Sequence, residues 1–210
     1  MIDIVSVTDH LTDFSVEKKL LGNSFQSNFS LDTTIALVWH KSIDKSFIKK
    51  FPSIRAFVRY GVGFDNIDLE LCKSKKIIVA NTPDYGIDEV SDSALAMILS
   101  LTRKIKALEI LSRKDKNYWI GKDFNLDMKR INTLSLGLIG FGRIGSSIAK
   151  KFSVFSKKVG FYDPYIPDGY EKVFGVNRFE KISDLLLNSD IVSINTCLLY
   201  TSPSPRDATL

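Results

Sequence analysis

Three glycines, Gly140, Gly142 and Gly145, have the spacing G-x-G-x-x-G and follow a continuous apolar run at 134–139. In such a loop the first glycine allows a tight turn, the second lets the backbone approach a pyrophosphate, and the third lets a helix pack closely on the strand. A helix that begins there presents free N–H groups and the positive end of its dipole to phosphate oxygens. The loop is therefore predicted to bind the pyrophosphate of a dinucleotide, unless it is only a glycine-rich turn of another doubly wound sheet.

Asp163 ends a second apolar run, 159–162, and lies 18 residues after Gly145. An acid in this position accepts hydrogen bonds from both hydroxyls of a ribose. It would also repel a 2′-phosphate, and Pro164 and Tyr165, which follow it, offer no compensating cation. The pattern favours NAD over NADP as the cofactor. The alternative is that Asp163 only caps a turn before Pro164.

These residues need a strand, a helix and a second strand to hold them, and the sequence predicts all three in that order. In the first hundred residues, short apolar strands also alternate with helices, which predicts an α/β fold with a parallel sheet. The predicted strands are 2–7, 34–39, 54–59 and 77–80, and the predicted helices are 16–21, 43–50 and 67–75.

A long helix is predicted next, with Asp88 as its N-cap, because apolar residues recur at helical spacing. Such a helix could join two domains, form a dimer interface, or simply pack on its own domain. The recurring residues are Val90, Ala94, Met97, Ile98, Leu101, Ile105, Leu108 and Leu111.

The composition, with 44% hydrophobic and 25% charged residues, is typical of a globular protein. No apolar run is long enough to span a membrane, and the start of the chain lacks the charged segment of a signal peptide. The net charge of +5 comes mostly from scattered lysines, without a nucleic-acid-binding pattern. Cys72 and Cys197 provide no disulfide framework. We therefore expect a cytoplasmic protein with no nucleic-acid or membrane partner.

The segment 59–92, RYGVGFDNIDLELCKSKKIIVANTPDYGIDEVSD, resembles the D-2-hydroxyacid dehydrogenase family, in which R-x-G-x-G-x-D-N-[IV]-D precedes N-[TV]-P and a long helix. The likeness continues through GLIGFGRIGSSIAKKF and FYDPYIPDGYEKVFG and covers residues 1–196; within the family it is strongest to the C-terminal-binding-protein branch and nearby bacterial dehydrogenases. It implies a flavodoxin-like substrate domain at 1–101, then the first half of a Rossmann NAD-binding domain at 102–196, with a hinged cleft between them.

The resemblance also implies roles for individual residues. Val62 and Gly63 match backbone amides that hold the substrate carboxylate, and a Gly-x-Gly turn can expose N–H groups to an anion. Arg59 matches a position that helps to bind substrate phosphate in 3-phosphoglycerate enzymes; the alternative is a surface arginine at a strand end. Trp39 and His40 are expected at a strand end facing the cleft, with His40 a surface residue of the loop. The positions that match the cofactor site are Gly140, Phe141, Gly142, Arg143, Ile144, Gly145 and Asp163.

The catalytic arginine, acid and histidine of the family follow the strand predicted at 190–195, which we count as the third strand of the Rossmann domain. That strand runs instead into CLLYTSPSPRDATL, where Arg206 has no strand around it, so no catalytic residue is assigned. The stretch CLLYTSPSPRD is similar to a translated transposase-type sequencing adapter. Residues 197–210 are therefore expected to be a non-native tail; the alternative is a genuine disordered tail rich in serine and proline.

The resemblance implies an NAD-dependent oxidoreductase that interconverts a small D-2-hydroxy acid and its 2-keto acid, phosphoglycerate among the open choices, and acts as a homodimer. A histidine paired with an acid would move the proton, and an arginine would hold the carboxylate. The fragment itself is expected to be inactive, with its strand at 134–139 uncovered on one side. The alternative is an NAD-sensing corepressor or binding module of the C-terminal-binding-protein branch.

Overall fold

The computed structural model describes residues 3–9, 12–114 and 128–196, and the chain divides into two compact units between Tyr85 and Gly86. Each unit is built on a parallel sheet whose strands are joined by helices, which confirms the predicted α/β fold class. None of the helices in these ranges is long and apolar enough to cross a membrane. The tail expected at 197–210 lies outside the described residues.

The first unit has a four-stranded parallel sheet in which each strand pairs with the next along the chain. Phe25 adds an isolated parallel bridge to Val5, on the side away from the next strand. If Phe25 counts as a second strand, the order becomes 2-1-3-4-5, that of flavodoxin-like sheets. The elements are β1 (Val5–Val7), α1 (Ser15–Leu21), β2 (Ile35–Val38), α2 (Lys45–Lys50), β3 (Ala56–Arg59), α3 (Leu69–Ser74) and β4 (Ile78–Ala80).

The core of the first unit follows from alternation along the strands. In β2, Ala36 and Val38 face one apolar cluster while Leu37 faces the other, because successive strand side chains point to opposite faces. Helices α2 and α3 begin at aspartates, whereas α1 has no side-chain cap. Asp44 accepts a hydrogen bond from the N–H of Phe47 at 2.8 Å at the start of α2. Side chains of this kind satisfy N–H groups that the first helical turn leaves unpaired.

The second unit has a parallel sheet of order β7-β6-β5-β8. Read in chain order this is 3-2-1-4, the first four strands of a Rossmann sheet. Its elements are α4 (Ile87–Thr102), α5 (Ile105–Lys114), β5 (Leu136–Ile139), α6 (Arg143–Phe152), β6 (Val159–Tyr162), α7 (Tyr170–Phe174), β7 (Asn177–Arg178), α8 (Ile182–Leu187) and β8 (Ile191–Ile194).

The count of Rossmann strands predicted from the sequence is wrong by one. The strand at 191–194 is the fourth and not the third, because β7 precedes it and pairs with β6. Two residues are too few to show a strand periodicity, so the sequence pattern conceals β7. The strand β5 is also not left uncovered: it pairs with β6 on one side and β8 on the other, and β8 is the edge of the described sheet.

The single long helix predicted from Asp88 is also wrong, because it is two helices. Lys104, between α4 and α5, has a positive φ of 50°, which an α-helix does not contain. The apolar spacing continues across this break without a glycine or proline to mark it. The N-cap of α4 is Gly86, and Asp88 lies inside the first turn, near the positive end of the helix dipole.

The helix α4 belongs to the second unit, whereas the sequence predicts a first domain that extends to residue 101. The Nζ of Lys151, on α6, donates to Asp92 Oδ1 at 2.6 Å and Asp88 Oδ1 at 3.1 Å, both on α4. The hydroxyls of Ser91 and Ser147 lie 3.0 Å apart across the same helix pair. The hydrogen bonds to Asp92 and Asp88 raise the pKa of Lys151, which keeps this link charged.

The core of the second unit lies between α6 and one face of its sheet. Leu136 and Leu138 of β5 and Phe161 of β6 pack with Ile148 and Phe152 of α6, and all five side chains are buried. The spacing of the two α6 residues presents one helical face, as predicted. This packing fixes the point at which α6 begins relative to the end of β5.

Asp190 joins the starts of β5 and β8. Its Oδ2 accepts hydrogen bonds of 2.9 Å from both the N–H and the hydroxyl of Ser135, and its Oδ1 lies 3.1 Å from Lys129 Nζ. The bond from the Ser135 backbone, followed by the Lys129 ammonium, lowers the pKa of Asp190 to about 2. The charged carboxylate therefore stabilises the folded sheet.

We predict that Asp190→Ala lowers the free energy of unfolding by about 1–3 kcal/mol at neutral pH, because it leaves charged and backbone donors unpaired. The pKa of an unfolded aspartate is about 3.9. Since the folded value lies below it, the stabilisation is complete above about pH 4 and is lost as the pH falls toward 2. Denaturant unfolding followed by circular dichroism between pH 7 and pH 2 measures this difference.

The control is Glu180→Ala, which removes an exposed carboxylate that has no hydrogen bond or ion pair to the described residues. It should leave the free energy of unfolding within about 0.5 kcal/mol of the unaltered chain at every pH. A difference for Asp190→Ala that stays constant down to pH 2 would contradict this account of Asp190.

Candidate functional site

The turn after β5 requires a glycine at 140. Gly140 has a φ of +89°, and its N–H donates to the carbonyl of Tyr162 at 2.9 Å. A Cβ at this position would lie 2.8 Å from the backbone carbonyl of Asn195, closer than real Cβ contacts. Both the conformation and the contact exclude a side chain, as the sequence predicts for the first glycine of the loop.

Gly145 allows α6 to begin directly against this turn. A Cβ there would lie 2.2 Å from the carbonyl oxygen of Gly140. The helix therefore approaches the end of β5 as closely as two backbones can pack. The first backbone hydrogen bond of α6 is from Ser146 to Gly142 at 3.0 Å, so the N–H groups of 143–145 have no partner within the described residues.

Gly142 differs from the other two glycines because no atom of the described residues lies close to its Cβ position. It is the N-cap of α6, its φ is −71°, and a Cβ built there meets no atom within 4 Å. Neither conformation nor packing requires a glycine at this position. The open volume lies beside the unpaired N–H groups of the helix, the kind of helix end that binds phosphate groups.

Asp163 lies beside this volume and is held there by two backbone N–H groups. Its Oδ2 accepts from Phe141 at 2.8 Å and its Oδ1 accepts from Tyr165 at 2.9 Å. The second bond is the turn predicted before Pro164. That Asp163 also binds a ribose stays a prediction. Each carboxylate oxygen keeps a second lone pair that can accept from a ribose hydroxyl.

The side chain of Phe141 anchors the loop instead of facing a ligand. Phe141 is 2% exposed, stacks on Phe161 with ring centroids 4.0 Å apart, and meets Phe174 edge-on at 5.3 Å. Ile144 packs partly buried against the same core, whereas Arg143 is exposed at the first turn of α6. The side chains of Phe141 and Ile144 therefore do not face a phosphate, and of these two residues only Ile144 has an N–H that is unpaired within the described residues.

In the first unit, Arg59 ends β3 and is held by its own loop. Its Nε donates to Asn66 Oδ1 at 3.3 Å, and its Nη1 donates to the carbonyl of Tyr60 at 2.5 Å. The side chain lies across the turn at Gly61, where a Cβ would come within 2.5 Å of Nη1. Arg59 is half-buried and lies beside the turn, at the strand end that both interpretations predict. That it binds a substrate phosphate stays a prediction.

Val62 and Gly63 follow that turn with their N–H groups unpaired within the described residues. The loop is held through its carbonyls instead. Asn81 Nδ2 donates to the carbonyl of Val62 at 2.8 Å, and the N–H of Thr82 donates to the carbonyl of Gly61 at 3.1 Å. Both residues are exposed, so their amides can bind a small anion.

Trp39 and His40 follow β2 directly, at the carboxyl end of the same sheet. Their N–H groups donate to the two oxygens of Asp9 at 3.1 and 2.8 Å, and the indole N–H of Trp39 donates to His40 Nε2 at 2.7 Å. Both are exposed, as expected of loop residues. That they face a cleft stays a prediction.

Sequence reasoning missed two residues, Asn66 and Tyr60, that hold the loops after β2 and β3 in place. Asn66 donates to the carbonyl of Lys41 at 2.8 Å while it accepts from Arg59, and its place in the FDNID stretch could have indicated it. Tyr60 donates to Glu17 Oε1, on α1, at 2.8 Å, and burial raises the pKa of its hydroxyl. No local pattern predicts the second contact, because the partners are 43 residues apart.

Comparison with known proteins agrees with this geometry. The family model for the D-isomer specific 2-hydroxyacid dehydrogenase NAD-binding domain matches residues 95–202, which confirms NAD as the cofactor. A glyoxylate/hydroxypyruvate reductase A of Arabidopsis thaliana is 36% identical over 152 residues, which are 72% of this chain and 46% of the relative. The C-terminal-binding protein 1 of Caenorhabditis elegans is 26% identical over 180 residues, 78% of this chain and 23% of the relative.

The crystal structure of a D-lactate dehydrogenase from Aquifex aeolicus, complexed with NAD and lactic acid, superposes with a TM-score of 0.76 and 27% identity. The match covers 92% of this chain and 60% of that structure. The chain spans less than half the length of the two curated relatives, 23% of the C-terminal-binding protein and 46% of the reductase. It belongs to the D-isomer specific 2-hydroxyacid dehydrogenase family.

Proposed function

We propose that the second unit binds NAD at the carboxyl ends of β5 and β6, with the pyrophosphate against the N-terminus of α6. The observation that carries this proposal is the contrast among the three glycines. Gly140 and Gly145 are fixed by contacts within the chain, whereas Gly142 borders open volume beside unpaired N–H groups. A phosphate oxygen is the ligand that such a helix end favours.

We further propose that Asp163 binds the adenosine ribose through both hydroxyls. Support comes from its attachment to the N–H of Phe141, which places the carboxylate beside the proposed pyrophosphate site. A carboxylate at this point repels a 2′-phosphate. The proposal therefore includes a preference for NAD over NADP.

In the first unit, we propose that Val62 and Gly63 hold the carboxylate of a small 2-hydroxy or 2-keto acid. Their N–H groups are unpaired within the described residues, and the loop that carries them is fixed through Asn81 and Thr82. Arg59, held beside the turn, would add a positive charge for the same anion. The proposed substrate class is therefore a small acid with its carboxylate next to the reacting carbon.

NAD supplies the hydride acceptor when it is bound. The residues of this chain would bind and orient the cofactor and the substrate carboxylate. By the family resemblance, the arginine, acid and histidine that hold the substrate and move its proton follow Thr196. We therefore propose that the 210-residue chain binds NAD without turnover, and that the longer protein is an NAD-dependent 2-hydroxyacid oxidoreductase.

We propose a homodimer for that longer protein. The support is a run of exposed apolar side chains along α4 and α5: Met97 is 61% exposed, Leu101 75% and Ile105 53%. Large apolar side chains exposed on neighbouring helices are typical of an interaction face.

A second candidate function is an NAD-sensing binding module. It is favoured by the match to C-terminal-binding protein 1, which extends over 78% of this chain. Both candidates use the same dinucleotide site. An activity assay of the longer protein distinguishes them, because only the oxidoreductase oxidises a 2-hydroxy acid or reduces its 2-keto acid.

The Gly142→Val variant tests the dinucleotide site. The added side chain would occupy the open volume, so we predict that the dissociation constant for NAD rises about tenfold or more, since phosphate hydrogen bonds are lost. Because no described atom lies within 4 Å of a Cβ at this position, the thermal midpoint should change little. Isothermal titration calorimetry and a thermal melt measure the two effects.

Gly145→Ala is the matched control for stability. Its Cβ would meet the carbonyl of Gly140, so overpacking of about 1–3 kcal/mol should lower the thermal midpoint by several degrees. If Gly142→Val binds NAD as tightly as the unaltered chain, the pyrophosphate does not lie at this loop.

Asp163→Ala tests the ribose assignment. We predict a loss of about 1.5–3 kcal/mol in NAD binding, because the lost acceptor is charged, together with weaker discrimination against NADP. Asp163→Asn is the matched variant: it keeps an acceptor for the N–H of Phe141 but removes the charge, so NADP binding should improve. An unchanged ratio of the NAD and NADP dissociation constants in both variants would contradict the assignment.

The absence of turnover is tested with NADH and a panel of 2-keto acids that includes glyoxylate, hydroxypyruvate and pyruvate. We predict no NADH oxidation by the 210-residue chain above a heat-treated control, since loss of the general acid–base group alone costs about 10²–10⁴-fold in rate. Oxidation above that control with any of these acids would show that the chain carries its own catalytic groups.

A further inference from the structure

Arg178, the last residue of β7, turns its side chain toward the loop that follows Asp163. Nη1 donates to Asp168 Oδ1 at 2.7 Å, and Nη2 donates to the carbonyls of Ile166 at 2.5 Å and Pro167 at 3.3 Å. One guanidinium thus binds three acceptors on three consecutive residues. A lysine ammonium lacks the planar fork that reaches such a set at once.

The same guanidinium also contacts Phe161, one of the aromatic rings that anchor the glycine loop. Its Cζ lies 5.3 Å from the ring centroid of Phe161, within the range of a cation–π contact. Phe161 in turn stacks on Phe141, whose N–H donates to Asp163. Arg178 therefore contacts the loop after Asp163 directly and the Phe141 loop through one ring.

Burying the Arg178 guanidinium costs folding free energy, which a purely structural position does not require. Its side chain is only 15% exposed, and its buried Nε has no hydrogen-bond partner in the described part of the chain. Glu171 Oε2 lies 3.7 Å from that Nε, too far for a hydrogen bond, and instead accepts from the N–H of Gly169 at 3.1 Å. Well-packed apolar residues often replace such buried charges without loss of stability.

We propose that Arg178 is a positioning residue of the dinucleotide site, and this proposal rests on the proposed NAD-binding function. It fixes the loop 166–168 and the ring beneath Phe141, and thereby holds the Asp163 carboxylate in place for the ribose hydroxyls. Arg178 touches no part of the proposed cofactor site itself. Because Nη1 and Nη2 are already bonded to the loop, it is not a partner for a 2′-phosphate.

The test compares NAD and NADP binding to the full 210-residue chain by isothermal titration calorimetry. Arg178→Lys and Arg178→Gln should each raise the NAD dissociation constant about fivefold or more and weaken the preference for NAD over NADP. A residue that only stabilises the fold would weaken both dinucleotides by the same factor. The ratio of the two dissociation constants therefore separates a positioning role from a structural one.

A double-mutant cycle adds a second readout. If Arg178 acts through Asp163, the chain with both Arg178→Gln and Asp163→Ala should bind NAD no more weakly than Asp163→Ala alone. If the double variant instead raises the NAD dissociation constant by the product of the two single-variant factors, the effects are independent and the proposal is overturned. Arg113→Gln is the control, because within the described residues this exposed arginine pairs with Glu109 alone, on its own helix, and it should leave both dissociation constants unchanged.

The outcomes separate this proposal from the function on which it rests. If the unaltered chain does not bind NAD, the proposed function fails. If it binds NAD and both Arg178 variants keep its NADP-to-NAD ratio, only the role of Arg178 is overturned. If neither variant folds, Arg178 is required for folding and the proposal is equally overturned.

Discussion

The close packing of α6 against the end of β5 is the constraint on which the second unit depends. Gly145 stands where any side chain would meet the carbonyl of Gly140, and Gly140 turns the chain against the backbone of Asn195. Because the helix begins so near the strand end, its unpaired N–H groups lie at the carboxyl edge of the sheet, beside Asp163. Of the three loop glycines, Gly142 is then the one whose Cβ position has no described atom within 4 Å.

Both units share one arrangement: within the described residues, backbone N–H groups are unpaired at the carboxyl end of a parallel sheet, and side chains hold the loops that carry them. In the first unit, Asn81 holds the carbonyl of Val62. In the second, Phe141 is buried in an aromatic stack and fixes the loop from beneath. Backbone amides bind an anion without the conformational freedom of a long side chain, which suits the carboxylate and the pyrophosphate of the proposed ligands.

The sequence predicts the elements whose signal is local. The run at 159–162 coincides with β6, and each strand and helix predicted in the first unit is present, because apolar alternation and capping aspartates lie within a few residues. What the sequence conceals depends on contacts between distant residues. The break at Lys104 has no breaker residue, β7 is too short for a period, and α4 belongs to the second unit through Lys151. Arg178 likewise shows its partners only in the folded chain.

The measurement that tests the proposed dinucleotide site most directly is an amide NMR titration of the ¹⁵N-labelled chain with NAD. The structure predicts the largest shifts at Gly142, which borders the open volume, and at Arg143 and Ile144, whose N–H groups are unpaired within the described residues, with smaller changes near Asp163. The amides of β3 in the first sheet should not move. Saturable binding of NAD that leaves the amides of 142–144 unshifted would contradict the central claim that the N-terminus of α6 holds the pyrophosphate.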